Sequence, residues 1–229
     1  GSAQFDFKAL LPLFLSQFWL LLLLLIALGV LLVFCWMKKI SFLAFADLGI
    51  HGLFLGQSIG RWGNFMNVEA YGAATALPWR MCSESIAAEM YAKGYVDAVG
   101  YEAILSGNLG VHPTFFYESL WNFIGLILVY FMGKKRRFDG QCFLFYVAWY
   151  GVGRALIEGL RTDSLYFFGL KLFGMPIRTS QMLAAVSAAV ALAALIWMWK
   201  KNKNNPSPLY VQRLAAQAQA EAADGEEEE

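Results

Sequence analysis

Charged side chains are scarce in this chain, which also has few cysteines and histidines. Charged residues make up 15% and hydrophobic residues 59% of its 229 positions, against about 25% and 45–50% in soluble domains. Mean hydropathy is +0.49, and the apolar residues lie in long runs. This shortage of charge excludes an ordinary soluble domain and predicts an all-α fold, a polytopic membrane helix bundle. The net charge of +1 indicates nothing about partners, and no nucleic-acid partner is expected.

The cysteines show no spacing typical of metal ligands. Cys35 and Cys142 fall near the ends of predicted membrane spans, whereas Cys82 falls in a predicted outer segment. We therefore expect no disulfide and no metal site. A nucleophilic cysteine is disfavoured, because no cysteine–histidine pair can be identified from the sequence.

Five apolar runs approach the length of a membrane-spanning helix, which requires about 20 residues for a bilayer core about 30 Å thick. The predicted spans cover residues 18–37, 43–60, 115–132, 142–160 and 182–199. The second is the weakest because Asp47 and Gln57 interrupt it. A re-entrant or buried half-span is the alternative there.

Basic clusters predict the orientation of these spans. Lys38-Lys39 follows the first span, Lys134 to Arg137 follows the third, and Lys200 to Lys203 follows the fifth. With five crossings all three clusters fall on one side, which the positive-inside rule makes cytoplasmic. The amino-terminal segment 1–17 is then outside and the carboxyl terminus inside. Without the second crossing the clusters would fall on opposite sides, which favours a genuine crossing.

The remaining segments are two outer loops and a tail. The outer loops run from about residue 61 to 113 and from about 161 to 180. The cytoplasmic tail, 201–229, is polar and ends in four glutamates. Its composition allows a short amphipathic helix around 210–222 and predicts disorder in the acidic end.

A polar cluster follows the second apolar run, in the sequence Gly60-Arg61-Trp62-Gly63-Asn64-Phe65-Met66-Asn67-Val68-Glu69-Ala70-Tyr71-Gly72. Arg61 carries a planar fork of donors suited to phosphate. Asn64 and Asn67 add neutral donors, and Glu69 can orient Arg61 or accept a proton. An arginine that extends to lipid headgroups would explain Arg61 alone, but not the neighbouring amides and carboxylate. Upstream, glycines at 52, 56 and 60 have a spacing that predicts close helix packing.

A second motif opens the third span, in the sequence His112-Pro113-Thr114-Phe115-Phe116-Tyr117-Glu118. Pro113 suits a first helical turn, which places His112 at the mouth of the span. Histidine titrates near neutral pH, but a single histidine before a helix is more often structural, so both interpretations stay open. Glu118 lies at membrane depth and needs a positive partner.

A third motif supplies that partner. Arg154, Glu158 and Arg161 are spaced i, i+4, i+7 and share one helix face, with Asp163 following. An unpaired arginine inside a span costs about 2.5–3.5 kcal/mol on insertion scales. A pair between Arg154 and Glu158 that only joins helices is one interpretation. The other is that two arginines and one glutamate leave an excess positive charge, which suits a phosphate.

All three motifs fall near the outer ends of their predicted spans. We therefore predict one polar cavity, open to lipid and to the outer surface, that collects Arg61, Asn64, Asn67, Glu69, His112, Glu118, Arg154, Glu158 and Arg161. The expected ligand is an anionic amphiphile, and a phospholipid fits best.

The three motifs, in this order, resemble those of the prolipoprotein diacylglyceryl transferase family over about residues 40–199. The resemblance implies a bacterial inner-membrane enzyme that transfers the diacylglyceryl group of phosphatidylglycerol to the lipobox cysteine thiol of preprolipoproteins. A thioether forms and glycerol 1-phosphate leaves. The implied partners are phosphatidylglycerol, the preprolipoprotein signal peptide and membrane lipids, and no metal or organic cofactor is expected.

The resemblance also suggests a role for each polar residue. Arg61 and Arg154 would neutralise the departing phosphate, and His112 would take the thiol proton, because the thiolate is the nucleophile. The substrate-binding residues would be Asn64, Asn67, Glu69, Glu118, Glu158 and Arg161. Glu158 and Arg161 would also hold Arg154 in place.

The sequence departs from the family pattern near its amino terminus. Family members usually have more spans and a glycine-flanked histidine upstream, and residues 15–20 contain neither that histidine nor its glycines. We expect the family's amino-terminal spans to be missing. Two alternatives stay open: an inactive or truncated relative that binds phospholipid without turnover, and a small membrane transporter. No inverted repeat of the kind seen in many transporters is evident.

Overall fold

The computed structural model describes residues 7–160, 166–172, 175–204 and 208–227. The chain divides into two compact units, Gly1–Phe45 and Ala46–Glu229. The described part is almost entirely helical, which confirms the predicted all-α membrane fold. Three of its helices are long and apolar enough to cross a membrane: Phe42–Met66, Thr114–Gly133 and Gln181–Lys201. The other two predicted spans stay predictions.

The first unit contains helix α1 (Phe7–Met37) and the first turn of the next helix. From Trp19 onward many of its large apolar side chains are exposed, as expected of a surface that faces lipid. The helix ends where Lys39 adopts a left-handed conformation with φ 55°. The Ile40 N–H then reaches back to the Cys35 carbonyl at 2.8 Å, which is a Schellman-type end.

The second unit packs four long helices. They are α2 (Phe42–Met66, from Ala46 onward), α5 (Thr114–Gly133), α6 (Gln141–Glu158) and α7 (Thr179–Lys201). The core between α2, α5 and α6 is formed by Ile50, Phe54, Val129 and Cys142. Helix α5 exceeds the predicted span 115–132 by one residue at each end.

Helix α2 is continuous over 25 residues, about 37 Å at 1.5 Å per residue, which is enough to cross a bilayer core. It extends past the predicted end of the span at residue 60. Arg61 and Asn64 therefore lie in its last two turns and not beyond the helix, which corrects the sequence-based boundary. Polar residues are tolerated there because the end of a spanning helix reaches the membrane interface.

The described residues of the second unit supply no packing partner for the α2 glycines. Gly52, Gly56 and Gly60 are exposed, and within the second unit no atom would lie within 4 Å of a Cβ built on them. Close approach instead occurs at Gly125 and Gly151. A side chain at Gly125 would overlap the Phe54 ring, and one at Gly151 would overlap helix α7. Regular glycine spacing permits close packing but does not supply the partner.

The α2 side chain Asp47 fixes the start of helix α6. Its two carboxylate oxygens accept hydrogen bonds from the Gly140 and Phe143 N–H groups, both at 2.9 Å. Gly140 has φ 93°, a left-handed conformation that glycine adopts at low cost. Asp47 thus satisfies N–H groups that a helix start leaves unpaired. The contact also places Asp47 beside the first turn of α6, at one end of the second unit.

The segment between α2 and α5 forms a small folded module. It contains α3 (Glu84–Ala92), α4 (Ala98–Leu105) and the paired short strands β1 (Ala74–Thr75) and β2 (Gly110–Val111). Its core is built from Tyr71, Ile86, Ala87, Met90, Ile104 and Val111. The predicted outer loop 61–113 is therefore an ordered structure that holds both ends of the segment against the helices.

The carboxyl-terminal part contains strands β3 (Tyr166–Leu172) and β4 (Met175–Arg178), then α7 and helix α8 (Tyr210–Glu227). Helix α8 begins where the amphipathic pattern predicts but continues into the acidic segment expected to be disordered, which corrects that expectation. The Tyr210 N–H donates to the Asp139 carboxylate at 2.9 Å, and Arg213 lies 3.6 Å from the same carboxylate. The start of α8 is thereby attached to the loop between α5 and α6.

Candidate functional site

The polar residues of the site lie where α2 ends, α5 begins and α6 ends. Arg61 is on α2, Glu118 is on the second turn of α5, and Arg154 and Glu158 are on the last turns of α6. Because α5 runs antiparallel to its two neighbours, these three helix ends meet at one end of the unit. The opposite end carries Asp47 and the basic loop after α5.

Four of these side chains form a continuous chain of ion pairs. Glu118 Oε2 lies 2.6 Å from Arg61 Nη2, and Glu118 Oε1 lies 3.1 Å from Arg154 Nη1. The other end of the Arg154 guanidinium lies 2.8 Å from Glu158 Oε2. The sequence predicted a positive partner for Glu118, and Arg154 confirms it. The contact with Arg61 joins the first motif to the other two.

The carboxylates of these ion pairs are buried, and the guanidinium groups are partly buried. The side chains of Glu118 and Glu158 are only 6% and 4% exposed, and those of Arg61 and Arg154 are 23% and 21% exposed. A buried carboxylate is tolerated when it is paired. The arginines keep part of their donor edges accessible, and these edges can bind an anionic group.

The four ion-paired side chains balance in charge. Two guanidinium groups face two carboxylates, so the four side chains sum to zero. The expected excess of positive charge counted Arg154 and Arg161 against Glu158, and it stays a prediction. Arg161, which the expectation needed, lies outside the described residues, as does Asp163.

The loop after α2 is held in an unusual conformation. Val68 and Ala70 have φ values of 55° and 57°, and a left-handed β-branched residue is strained. The loop is fixed on both sides: the Thr114 hydroxyl donates to the Ala70 carbonyl, and the Gly72 N–H donates to the His112 carbonyl at 2.9 Å. The first motif is thereby attached directly to the second.

Within this loop the two predicted headgroup ligands contact each other. Asn67 Nδ2 donates to Glu69 Oε1 at 3.1 Å, and both side chains are exposed. The ion pair described for Arg61 is with Glu118, whereas Glu69 contacts Asn67. Asn64 is half-buried on α2, one turn beyond Arg61.

His112 belongs to a separate group of polar side chains. Its Nδ1 lies 3.1 Å from the Tyr117 hydroxyl oxygen, which also accepts a hydrogen bond from the Trp79 indole at 2.9 Å. Its described contacts do not include the four-residue ion-pair chain. Of the nine residues predicted to share one cavity, seven fall into three groups in the described part of the chain: the ion-pair chain, the Asn67–Glu69 pair and His112 with Tyr117.

A small cavity of about 10 Å³, the size of one water, adjoins the ion pairs between α5 and α6. Glu118 and Arg154 line it together with Asn122 and Tyr150, which the sequence analysis missed. A sequence signal existed for both. Asn122 is a polar residue four positions after Glu118 on an apolar helix, and Tyr150 is four positions before Arg154, so each shares its neighbour's face.

Further contacts join α5 to its neighbours beside the cavity. The Trp62 indole donates to the Ser119 hydroxyl at 3.2 Å, and that hydroxyl donates to the Ser58 carbonyl at 2.7 Å. Trp121 and Trp149 stack 4.3 Å apart, and each indole N–H donates to the other's carbonyl at 2.9 Å. These paired contacts fix the rotation of α5, and with it the direction of Glu118.

In the described ranges, no three histidine, cysteine, aspartate or glutamate side chains are arranged to hold a metal ion. The cysteines Cys35, Cys82 and Cys142 are free thiols, of which only Cys82 is exposed.

Residues 23–197 match the sequence profile of a family described as prolipoprotein diacylglyceryl transferase. Three similar curated proteins are each named phosphatidylglycerol–prolipoprotein diacylglyceryl transferase. The protein of Lysinibacillus sphaericus is 40% identical over 72% of this chain and 55% of its own length. That of Finegoldia magna is 41% identical over 72% and 53%, and that of Streptococcus pyogenes is 36% identical over 73% and 57%. The chain thus spans about half the length of the curated relatives it matches.

Proposed function

The chain belongs to the prolipoprotein diacylglyceryl transferase family, and we propose that it is a diacylglyceryl transferase. The donor is phosphatidylglycerol, and the acceptor is the lipobox cysteine thiol in the signal peptide of a preprolipoprotein. The names of the curated relatives support both substrates in outline. The observation that carries the proposal is the shared carboxylate Glu118, which holds Arg61 and Arg154 together at one end of an apolar helix bundle.

The proposed reaction is a substitution at carbon. The cysteine sulfur forms a bond to the diacylglyceryl carbon that carried the phosphate, and the carbon–oxygen bond to that phosphate breaks. The thiol loses its proton, and the leaving group is glycerol 1-phosphate. No atom is oxidised or reduced, so the reaction balances without an oxidant or reductant. The leaving phosphate changes from a singly charged diester to a monoester that carries a second negative charge.

Arg61 and Arg154 are the residues we assign to that developing charge. Stabilisation of charge that appears only in the transition state is usually the largest catalytic contribution. Two guanidinium groups near each other would repel, and Glu118 between them lowers that cost. Their remaining donors form a fork that suits phosphate oxygens. Glu158 holds the Arg154 guanidinium from the other side.

His112 is the residue we assign to the thiol proton. In the tautomer that carries its proton on Nδ1, the Nδ1–H donates to the Tyr117 oxygen, and Nε2 has the free lone pair that can accept a proton. The Tyr117 oxygen has two lone pairs, so it can accept from His112 and from Trp79 together. Tyr117 would then be the positioning residue that orients the imidazole.

The headgroup contacts complete the proposed site. We assign substrate binding to Asn64, Asn67, Glu69, Glu118, Glu158 and Arg161. Asn64 follows Arg61 by one turn of α2, and its amide offers both a donor and an acceptor to the headgroup. The exposed Asn67–Glu69 pair lies on the strained loop, where small changes in backbone angle can move both side chains together.

The proposed location is the bacterial inner membrane, with the site end outside and the basic end in the cytoplasm. Contacts within the second unit support one part of this orientation. Arg137 Nη1 donates to the Lys203 carbonyl at 3.4 Å, and the Arg137 guanidinium lies 5.2 Å from the centre of the Trp199 ring. The second and third basic clusters therefore meet at one end, as the positive-inside rule requires.

A turnover assay tests the proposal. The purified chain is mixed with phosphatidylglycerol and a lipobox peptide, and the peptide is examined by mass spectrometry. We expect a mass gain of one diacylglyceryl group on the cysteine, lost in Arg61→Ala. The matched control is Arg213→Ala, because Arg213 is an exposed arginine on α8 that contacts only Asp139 in its described ion pairs. Phosphatidylglycerol that co-purifies without any peptide product would instead support the lipid-binding alternative.

A further inference from the structure

The cavity beside the ion pairs contains a polar atom for which the fold provides no partner. Asn122 is 2% exposed, and its Oδ1 has no hydrogen-bond partner in the part of the chain that the structure describes. The residue lines the cavity together with Glu118 and Arg154. Buried side-chain amides nearly always have partners, because an unpaired one costs about 1–3 kcal/mol. An orphan acceptor beside a cavity therefore indicates a missing donor.

Two neighbouring polar side chains, Glu118 and Trp121, cannot supply that donor without breaking contacts of their own. Both Glu118 oxygens are acceptors, and each is paired with an arginine. The Trp121 indole N–H is paired with the Trp149 carbonyl at 2.9 Å. The cavity itself measures about 10 Å³, room for one oxygen-sized group and not for a whole headgroup. The donor must therefore enter from outside as a single small group.

We propose that Asn122 is a specificity-determining residue that accepts a hydrogen bond from a hydroxyl of the lipid headgroup. The inference rests on the proposed function and deepens it, since Arg154 beside the cavity is there assigned to the phosphate. A headgroup glycerol attached to that phosphate carries its hydroxyls within a few bonds of it. The cavity would admit one of them. Asn122 would thus distinguish a glycerol headgroup from one that lacks hydroxyls.

The chemistry of the amide supports this discrimination. A site built to accept a hydroxyl rejects the analogue that lacks it, because the buried acceptor is then left unpaired. Charge alone cannot distinguish a glycerol headgroup from an uncharged headgroup without hydroxyls, since both lipids present one negative phosphodiester to the arginines. Asn122 adds an uncharged contact that depends on the hydroxyl.

Two lipids with equal charge test the proposal. The full chain in phosphatidylcholine nanodiscs is titrated with phosphatidylglycerol and with phosphatidylpropanol, which has the same phosphodiester and a three-carbon headgroup without hydroxyls. Native mass spectrometry gives the two dissociation constants. We expect the unmodified chain to bind phosphatidylglycerol about tenfold more tightly. Asn122→Leu, which has a similar volume, should remove that preference and leave phosphatidylpropanol affinity unchanged.

The matched control is Gln57→Leu. Gln57 is a half-buried amide whose buried oxygen has no hydrogen-bond partner among the described residues, but it contacts Tyr146 and does not line the cavity. We expect this variant to keep the tenfold preference, so a general loss of packing can be told apart from the loss of the hydroxyl contact. If Asn122→Leu kept the preference, the proposal would be overturned.

The unmodified chain provides a second test that needs no variant. Equal affinity for the two lipids would overturn the role of Asn122 and would mean that the cavity holds only a water. If the same sample still transfers the diacylglyceryl group, the proposed function stands without this inference. Absence of both lipid binding and transfer would overturn the inference and the proposed function together.

Discussion

Glu118 is the residue whose replacement should show most clearly that the charges at the site depend on one another. It is 6% exposed and pairs with Arg61 at 2.6 Å and with Arg154 at 3.1 Å. Glu118→Gln keeps the shape but leaves two guanidinium groups without their shared counter-charge. Breaking a buried pair by removing one partner costs about 3–5 kcal/mol. Because the arginines remain 23% and 21% exposed, water offsets part of this, and we expect the low end, about 3 kcal/mol.

The assay is reversible unfolding of the full chain in mixed micelles of increasing SDS content, followed by tryptophan fluorescence. The matched control is Glu102→Gln, since Glu102 is an exposed glutamate on α4, and its replacement should change the free energy of unfolding by at most about 0.5 kcal/mol. The double variant Glu118→Gln, Arg154→Gln should lose less unfolding free energy than the two single variants lose together, by about 1–3 kcal/mol. A loss below about 1 kcal/mol for Glu118→Gln would refute the reasoning, because it would mean that the pair is solvated like a surface salt bridge.

Three further predictions concern the contacts that build the site. Gly72→Ala should destabilise the chain and abolish transfer, because the added Cβ would overlap the Leu160 carbonyl oxygen, which lies 2.7 Å away; thermal unfolding and the peptide mass assay measure both effects. Asp47→Asn should lower the free energy of unfolding by about 1–2 kcal/mol, because one of its two backbone partners on α6 loses an acceptor. Tyr117→Phe should lower the turnover number more than it changes the Michaelis constant for the peptide, and should shift the pH profile, because His112 loses the hydroxyl that orients it.

Each of these three predictions has a control or an outcome that would contradict it. Gly94→Ala is the control for Gly72→Ala, since Gly94 lies in open space, although its φ of 71° adds a small strain of its own. Unchanged stability of Asp47→Asn would mean that water already satisfies the α6 start. Equal pH profiles for Tyr117→Phe and the unmodified chain would remove Tyr117 from the positioning role. They would also weaken the assignment of His112 as the base.

The ends of some helices could be predicted from the sequence more accurately than the ends of others, for a physical reason. Helix α5 was located to within one residue because its mostly apolar run lies between Pro113 and Lys134, which mark its two ends. The end of helix α2 was not predicted, because the polar residues Arg61 and Asn64 indicated the end of a membrane span. A helix can continue beyond the hydrocarbon core, and α2 does so. The module between α2 and α5 could not be predicted, since its fold depends on contacts such as that of Tyr71 with Ile86, far apart in the sequence.

The sequence predicted those contacts of the site that follow from the energetic cost of burying a charge. A glutamate at membrane depth needs a cation, and that rule alone led to the pair of Glu118 with Arg154. It could not identify Arg61 as the second partner, because that depends on how α2 is rotated against α5. Nor could spacing show that Asn67 and Glu69 bind each other. Asn122 was overlooked because one amide in an apolar run resembles an ordinary tolerated substitution.

The contact of Asp47 with helix α6 has a consequence for how the protein is made. Its two N–H partners come 93 and 96 residues later in the chain. Ribosomes synthesise from the amino terminus, so the carboxylate is already present when the start of α6 emerges, and that start need not wait in hydrocarbon with unpaired donors. A circularly permuted gene that encoded α6 ahead of α2 would reverse this order. Its α6 would emerge without an acceptor and should insert less efficiently, even though the finished fold contains the same contacts.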